Sequence, residues 1–444
     1  MISIYKQIFF SARFFIVASM IIVMFALSFI LPWLFPIAES LLALLGSLTV
    51  ADGLLLMNKK QQLQVERTVP AVMSLGDENK ILLKIRNSAT LNITLTIYDD
   101  LPYQLQNRDF KIEATLRSKE ERTFEYFVTP TTRGEYIFGN VNAFVTSPIG
   151  LINQKQVIDR KCSVHVYPSI IQMKRFELKV RSFSLVSEGI KKQRRIGHSY
   201  EFEQIKEYVV GDDSRSINWK ASGRRTNLMV NQYEDERAQQ VYSIIDKSRV
   251  MRLPFNNLTL LDHAINTTLV MSNIILQKHD KAGLITFSDK IGSIIPAEKS
   301  SQQLKKIMEA LYNEKENFLD AEFELLYHLV RNIIKNRSLV LLYTNFESVH
   351  ALERVLPILR QINKFHLLVV IFFDNEEVVE LSKRKADRLF DIYVQTMAKK
   401  YQNEKNQITS MLSNHGILCV KSIPSELSIN TINKYLELKS RGMI

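Results

Sequence analysis

The sequence predicts a multidomain chain: an N-terminal transmembrane α-hairpin, then an all-β sandwich domain, then an α/β, Rossmann-like domain with a mostly parallel sheet. Three observations predict this. The chain starts with two long apolar runs, continues with apolar residues at a period of two, and ends with apolar strands that alternate with amphipathic helices. The predicted boundaries are 1–60 for the hairpin, 61–170 for the β-sandwich, 171–240 for a charged signature segment that serves as a linker, and 241–444 for the α/β domain.

The net charge and the cysteine content indicate which partners and which cell compartment to expect. The net charge is +12, but the 58 Lys and Arg residues are interleaved with 46 Asp and Glu residues. We therefore expect a cytoplasmic surface beside anionic lipid and no nucleic-acid partner. Cys162 and Cys419 fall in predicted strands of different domains without paired metal spacing, so neither a disulfide framework nor a zinc site is predicted.

The two apolar runs predict the location. They extend from Phe14 to Leu31 and from Leu41 to Met57, and each is about long enough to cross a bilayer. Lys or Arg flanks both outer ends, and the connecting loop has neither, so both ends should face the cytoplasm. We predict a protein of the cytoplasmic (inner) membrane with both termini and the soluble domains facing the cytoplasm, in contact with inner membrane lipid. Asp52 lies in the second run, where an acid is a functional candidate, but its place near the helix end favours a carboxylate that snorkels to the interface.

The middle of the chain has strand periodicity. In the segment LNITLTIY, Leu91, Ile93, Leu95 and Ile97 fall on one face and the intervening residues on the other. Similar short runs follow between turn sequences, which predicts a β-sandwich.

Beyond Val241, apolar strands alternate with amphipathic helices, which predicts a mostly parallel sheet covered on both faces. Ligands of such sheets bind at the carboxyl ends of the strands, where Asp246, Ser288, Asn345 and Asp374 are found. The sequence has no GxxxxGK[ST], no GxGxxG after a strand and no GxSxG. It therefore offers no motif for an NTPase, a dehydrogenase or an α/β-hydrolase.

The charge-dense segment EFEQIKEYVVGDDSRSINWKASGRRTNLMVNQYEDER, residues 201–237, resembles the signature of the bacterial family called domain of unknown function 58. Members place this block just before a von Willebrand factor A-like domain, so the resemblance implies that fold for residues 241–444. Lys206 and Asn218 depart mildly from the family pattern. The matching residues are Glu201, Phe202, Glu207, Tyr208, Gly211, Asp212, Asp213, Arg215, Ile217, Trp219, Lys220, Arg224 and Glu236.

The signature admits three interpretations. Arg215 and Arg224 are suitable partners for nearby carboxylates, and Trp219 is expected to anchor the loop on apolar surface. We favour a structural salt-bridge knot. A partner-binding face and a catalytic carboxylate cluster stay open as alternatives. The basic residues Lys191, Lys192, Arg194 and Arg195, just before the signature, are interpreted as a solvated linker, with lipid contact as the alternative.

The resemblance also raises the question of a metal. Members of the A-domain fold that bind magnesium use an Asp-x-Ser-x-Ser turn, a Thr from a later loop and an Asp after a central strand. The corresponding positions here are degenerate: Asp246 and Ser248 are kept, but Val250 and Asn345 replace the third turn ligand and the second acid. We predict no cofactor, with magnesium disfavoured, and expect Lys247 or a neighbouring Arg to take the cation's place beside Asp246.

These features favour a membrane-anchored interaction or adaptor protein rather than an enzyme. The family resemblance implies a MoxR-type AAA ATPase as partner, in the assembly or maturation of other proteins at the cell envelope. The alternative is a hydrolase that uses Glu207, Asp212 and Asp213 as acid and base.

Overall fold

The computed structural model describes residues 8–57, 63–107, 110–174, 201–209, 214–224, 227–234, 238–255, 257–384 and 388–444. The chain forms two compact units, Met1–Ile170 and Ile171–Ile444. The first contains an N-terminal helix pair and a large β-rich region. The second contains a mixed α/β sheet.

The helix pair consists of α1 (Ala12–Ser28) and α2 (Phe35–Met57), joined through a 3₁₀ turn at Pro32–Leu34. Pro36 lies in the first turn of α2, where a missing N–H costs no helical hydrogen bond. By length and composition, the segment Pro32–Leu56 can cross a membrane. The 17 residues of α1 span about 26 Å, somewhat less than a hydrocarbon core of about 30 Å.

The β-rich region of the first unit contains one five-stranded sheet, in the order β1-β10-β9-β5-β6, and two three-stranded sheets, β3-β11-β8 and β2-β4-β7. Its strands are β1 (Ile8–Phe10), β2 (Leu63–Thr68), β3 (Val72–Ser74), β4 (Asn79–Asn87), β5 (Ile93–Asp99), β6 (Lys111–Leu116), β7 (Glu121–Val128), β8 (Gly134–Phe138), β9 (Val141–Thr146), β10 (Ile152–Ile158) and β11 (Cys162–Tyr167).

The predicted period of two is confirmed in β5, where Ile93, Leu95 and Ile97 are buried and the residues between them are not. The sequence did not predict β1, a strand of three residues directly before α1 that pairs antiparallel with β10. Because β1 is so short, it leaves no periodic pattern to detect.

The second unit carries a six-stranded sheet in the order β18-β17-β14-β19-β20-β21 and a separate hairpin, β12-β13. Its strands are β12 (Glu201–Glu207), β13 (Met229–Glu234), β14 (Gln240–Asp246), β15 (Pro254–Phe255), β16 (Leu258–Thr259), β17 (Lys281–Phe287), β18 (Ile291–Glu298), β19 (Leu339–Tyr343), β20 (Leu367–Phe373) and β21 (Leu418–Ser422).

Helices cover both faces of this sheet and build two apolar cores. One face packs against α4, α5 and α10, and the other packs against α6, α7 and α9. The helices of the second unit are α3 (Trp219–Ser222), α4 (Leu260–Gln277), α5 (Gln303–Asn313), α6 (Phe323–Ile333), α7 (Val349–Phe365), α8 (Glu376–Lys383), α9 (Leu389–Asn414) and α10 (Leu427–Ser440).

The sheet is mostly parallel, as predicted, with β18 as its antiparallel edge strand. Numbered from β14, the strand order is 3-2-1-4-5-6, typical of doubly wound sheets. The order reverses between β14 and β19, and a ligand crevice in such sheets forms at this switch point. The β12-β13 hairpin lies inside the segment that the sequence indicated as a linker.

Candidate functional site at the carboxyl edge of the sheet

The switch point holds a buried carboxylate. Asp246 ends β14 and is fully buried, and Thr344 directly follows β19. The Thr344 hydroxyl donates to Asp246 Oδ2 at 2.7 Å, and the Ser248 backbone N–H donates to Asp246 Oδ1 at 2.8 Å. Burial raises the pKa of Asp246, against the opposing effect of these hydrogen bonds. The bond to Thr344 therefore joins the two strands that flank the switch point.

A second group of buried polar contacts lies next to it, formed by Lys247 after β14, Thr286 of β17 and Glu314 after α5. Lys247 Nζ lies 2.7 Å from Glu314 Oε2, and the Thr286 hydroxyl donates to Glu314 Oε1 at 2.7 Å. Burial acts to raise the pKa of Glu314, but the hydrogen bonds from Lys247 and Thr286 outweigh it and lower that pKa. A Cβ at Gly292 would meet Thr286 Oγ1 and Lys247 Nζ, so a larger residue there would have to displace both side chains that contact Glu314.

This pairing overturns one expectation. Lys247 and Arg249 were expected to compensate Asp246, but Lys247 pairs with Glu314 and Arg249 Nε lies 2.6 Å from Asp320 Oδ1. That hypothesis is wrong because both basic side chains point toward carboxylates of the loop before α6.

A third group of buried polar contacts contains a lysine that was not among the predicted site residues. Lys405, on α9, is 1% exposed, and its Nζ donates to Asn345 Oδ1 and to the Phe346 carbonyl oxygen, each at 2.8 Å. Burial lowers the pKa of Lys405 to about 8. The signal was available, because Lys405 shares a helix face with Ile408 and Leu412, an arrangement that forces a long polar side chain toward the core.

The donor set does not fit magnesium. Asp246 provides one carboxylate, and the buried Ser248 Oγ has no hydrogen-bond partner among the residues that the structure describes. However, Val250 cannot coordinate, and the amide oxygen of Asn345 already accepts the Lys405 ammonium. An octahedral cation needs more oxygen ligands and more negative charge than this.

The same edge presents an apolar loop to solvent. We call residues 317–320 the edge loop. Phe318 is 71% exposed and Leu319 is 56% exposed. The Arg249 N–H donates to the Leu319 carbonyl oxygen at 3.1 Å, and the Asn317 N–H donates to the Lys247 carbonyl oxygen at 2.9 Å, so backbone hydrogen bonds hold the loop. The Arg252 guanidinium lies 3.8 Å from the centroid of the Phe318 ring.

The signature segment folds onto the β12-β13 hairpin. Asn218 caps α3 by accepting the Ala221 N–H at 2.9 Å, and its Nδ2 donates to Asn231 Oδ1 at 2.8 Å. The Ser222 hydroxyl accepts the Met229 N–H at 2.8 Å. Asn218 therefore uses both ends of its amide, and its Nδ2–H is a donor that an ionised Asp does not have.

The structure describes several of the signature residues along β12 and just after it. The backbones of Glu201 and Phe202 lie in β12, and the Tyr208 N–H donates to the Leu228 carbonyl oxygen at 2.8 Å. Glu207 Oε1 accepts from Asn227 Nδ2 at 3.2 Å, and within the described part of the chain no ion pair joins it to Arg224.

The expectation that Trp219 anchors the loop on apolar surface is wrong. Trp219 is 72% exposed because the short helix α3 is held to β13 through Asn218 and Ser222 instead. The backbone of Arg215 lies in a 3₁₀ turn at Ser214–Ser216. The predicted residues that lie outside the described part of the chain are Gly211, Asp212, Asp213 and Glu236, together with the basic cluster Lys191, Lys192, Arg194 and Arg195.

The first unit has its own buried polar site, at the base of the helix pair. Asp52, on α2, is fully buried and accepts the N–H groups of Leu151 and Ile152, each at 2.9 Å, and the Ser147 hydroxyl. The Ser11 hydroxyl, just before α1, donates to the Gly150 carbonyl oxygen at 2.6 Å. The prediction that Asp52 snorkels to a membrane interface is wrong, because the loop before β10 covers its carboxylate.

One curated relative matches more than half of the chain. The chain is 23% identical to "Uncharacterized protein YeaD" of Bacillus subtilis (strain 168) over 268 residues. The match covers 58% of this chain and 64% of that protein, so this chain spans less than two thirds of its relative's length.

Similarity to solved structures is partial. The CARDB domain of a Pyrococcus furiosus protein matches 24% of this chain and 90% of its own, with 18% identity and a TM-score of 0.17. The conserved hypothetical protein BatB from Bacteroides thetaiotaomicron matches 31% of this chain and 68% of its own, with 12% identity and a TM-score of 0.25. Residues 204–394, which include β13, the switch point and the edge loop, match the family described as "Protein of unknown function DUF58".

Proposed function

We propose that this chain is a membrane-anchored cytoplasmic adaptor whose α/β unit binds a partner protein through the edge loop. In this proposal the helix pair is a transmembrane hairpin of the inner membrane, the β-rich region is a sandwich that acts as a spacer, and the α/β unit is a von Willebrand factor A-like module. The proposed partner is a MoxR-type AAA ATPase, which acts on other proteins at the cell envelope. This last part rests on the family resemblance alone.

The helix pair supports the anchor. Its outward side chains are apolar and exposed, as Phe15, Met20 and Val23 illustrate at 58%, 65% and 57%. Exposed apolar surface on this scale is costly in water and favourable in lipid. Asp52 and Ser11 tie both ends of the pair to the same loop of the β-rich region, as a hairpin with both ends on one side of a membrane requires.

The exposed edge loop is the observation that carries the binding proposal. Phe318 and Leu319 project from a loop whose backbone is hydrogen-bonded to Lys247 and Arg249, in the turn after β14, so binding need not order that backbone. Arg249, Asp320 and Glu347 surround them with exposed charge. An apolar centre with a charged rim is the usual arrangement of a protein interface.

Buried polar contacts at the same edge of the sheet also support the binding proposal. Thr344 bonds Asp246, Lys247 pairs with Glu314, and Lys405 bonds Asn345. These contacts join the residues at the ends of β14 and β19 to α9 and to the residue after α5, and so hold in place the sheet edge that presents the edge loop.

Site-specific crosslinking tests the proposal. A photoreactive benzoylphenylalanine replaces Phe318 in the full chain, expressed in its native host, and crosslinking is performed with ATP present. We expect a crosslink to a hexameric AAA ATPase of the MoxR type. The matched control places the same residue at Phe365, which is 51% exposed at the end of α7. No ATPase adduct from position 318, or equal adducts from both positions, would contradict the proposal.

A further inference from the structure

Helices α8 and α9 form a hairpin whose end carries exposed apolar side chains. We call the end of α8 and the first turns of α9, residues 381–384 and 388–397, the α8-α9 tip. Leu389, Phe390 and Tyr393 are 85%, 74% and 63% exposed, and Met397 is 49% exposed. Leu389, Tyr393 and Met397 follow at intervals of four, so they lie along one side of α9.

The first turns of α9 lie outside the apolar core of the α/β unit. The first buried residue of α9 is Ala398, and the core-facing residues Lys405, Ile408 and Leu412 all follow it. Gln395 Nε2 donates to the carbonyl oxygens of Ser382 and Arg384, at 3.3 and 2.8 Å. The last turn of α8 therefore packs beside Gln395. The residues of α9 that precede Gln395 begin before this contact.

Basic residues flank the apolar stripe. Among the described residues of 381–400, five are Lys or Arg and one is Asp. Arg388 directly precedes Leu389, and Lys400 follows Tyr393 by seven residues, on the same side of the helix. Asp391 lies about half a turn away from Leu389, so the stripe itself carries positive charge only.

We propose that the α8-α9 tip is a second membrane contact, in which Leu389, Phe390 and Tyr393 enter the headgroup region of an anionic leaflet and the flanking cations bind its phosphates. Exposed apolar and aromatic side chains beside Lys and Arg are the chemistry that binds anionic lipid surfaces. Each cation near such a surface contributes on the order of 1 kcal/mol.

The charge argues against a second copy as the occupant. A two-fold contact through this stripe would bring the same cations of both copies together. An anionic lipid surface instead neutralises them and accepts the apolar side chains without a shaped groove. This contact does not depend on the N-terminal anchor.

Fluorescence quenching in the full chain tests the contact. The two native tryptophans, Trp33 and Trp219, are changed to Phe, and Phe390→Trp adds a single reporter. The protein is reconstituted into vesicles of phosphatidylcholine, with or without phosphatidylglycerol, that include brominated-chain lipid. We expect a blue-shifted emission and strong quenching with phosphatidylglycerol, and loss of most of the quenching in its absence or at high salt.

Two controls separate the possible failures. Phe365→Trp in the same background places the reporter at an exposed Phe outside the tip and should remain unquenched. A variant that keeps only Trp33 reports insertion of the helix pair. An unquenched Trp33 would contradict the proposed anchor and would not bear on the tip.

Combining Arg388→Gln, Lys399→Gln and Lys400→Gln with the Phe390→Trp reporter should remove most of the quenching. An unquenched reporter at position 390 with anionic lipid would overturn the proposal. So would a blue shift that appears only as protein concentration rises in detergent, since this would identify a second copy as the occupant.

Discussion

The carboxylate of Asp52 accepts the backbone N–H of Ile152 at 2.9 Å, and this bond joins α2 to the first residue of β10. Asp52 also accepts the Leu151 N–H, and β1, just before α1, pairs with β10. Both ends of the apolar helix pair are therefore built into the β-rich region.

Asp52→Ala should destabilise the first unit by about 2–3 kcal/mol, because it leaves buried N–H groups without their charged acceptor. The measurement is thermal unfolding of the detergent-solubilised chain, followed by protease resistance of the β-rich region. Glu39→Ala is the control, since Glu39 is the other acid of α2 and is exposed. Equal effects of the two changes would mean that the Asp52 bonds contribute little.

Glu314→Gln should cost about 3–5 kcal/mol at neutral pH, because it leaves Lys247 largely buried without its partner. The pKa of Glu314 is lowered on folding, so its contribution is complete above the ordinary pKa of 4.5 and is lost as pH falls through the lower folded value. Denaturant unfolding between neutral and acid pH measures both effects.

The matched control for that change is Glu309→Gln, in the exposed pair with Lys305 on α5. An exposed pair contributes little, so this variant should unfold like the original protein. If Glu314→Gln also left the unfolding free energy unchanged, the ion pair between Lys247 and Glu314 would not stabilise the fold.

Asp246→Asn should preserve or raise stability at neutral pH. The pKa of Asp246 is raised by burial, so the folded state holds its proton more tightly than the unfolded state. Stability therefore falls as pH rises from the ordinary 3.8 through the raised value, and an amide removes this loss. The amide can still accept from Ser248 and donate to Thr344.

Melting temperatures across this pH range check the Asp246 prediction, with Asp320→Asn as an exposed control. A large drop in melting temperature for Asp246→Asn would show that the ionised carboxylate stabilises the fold.

Magnesium should leave the melting temperature unchanged, and so should its removal with a chelator. Asp246 and Ser248 provide too few oxygen ligands, and Lys405 already occupies the amide of Asn345. Calorimetric titration of the protein with magnesium chloride gives an independent readout. Saturable heat with one site per chain is the contrary result.

The buried Lys405 should make the free energy of unfolding depend on pH in the alkaline range. Its pKa falls to about 8 on folding from an ordinary 10.5, so between these values the unfolded state binds more protons and stability rises with pH. The slope from this residue is at most about 1.4 kcal/mol per pH unit. Denaturant unfolding from pH 8 upward measures it. Lys405→Met should remove the rise, and Lys364→Met, at an exposed position of α7, should keep it.

Much of the fold followed from the sequence alone, because periodicity reports which residues face a core. The period of two in β5, the alternation of strands and helices after Val241, and the apolar runs that became α1 and α2 were all visible in this way. The short strand β1 and the antiparallel edge strand β18 were not predicted, because neither has a long enough apolar pattern.

The order of residues along the chain already puts polar side chains at the strand ends: Asp246, Thr344 and Asn345 fall there in any parallel arrangement. The partners of these side chains depend on the three-dimensional fold. Asn345 meets Lys405 from 60 residues further along the chain, and Asp52 meets Ile152 from 100 residues away. Such pairings depend on how helices pack over sheets in three dimensions, and local periodicity carries no information about them.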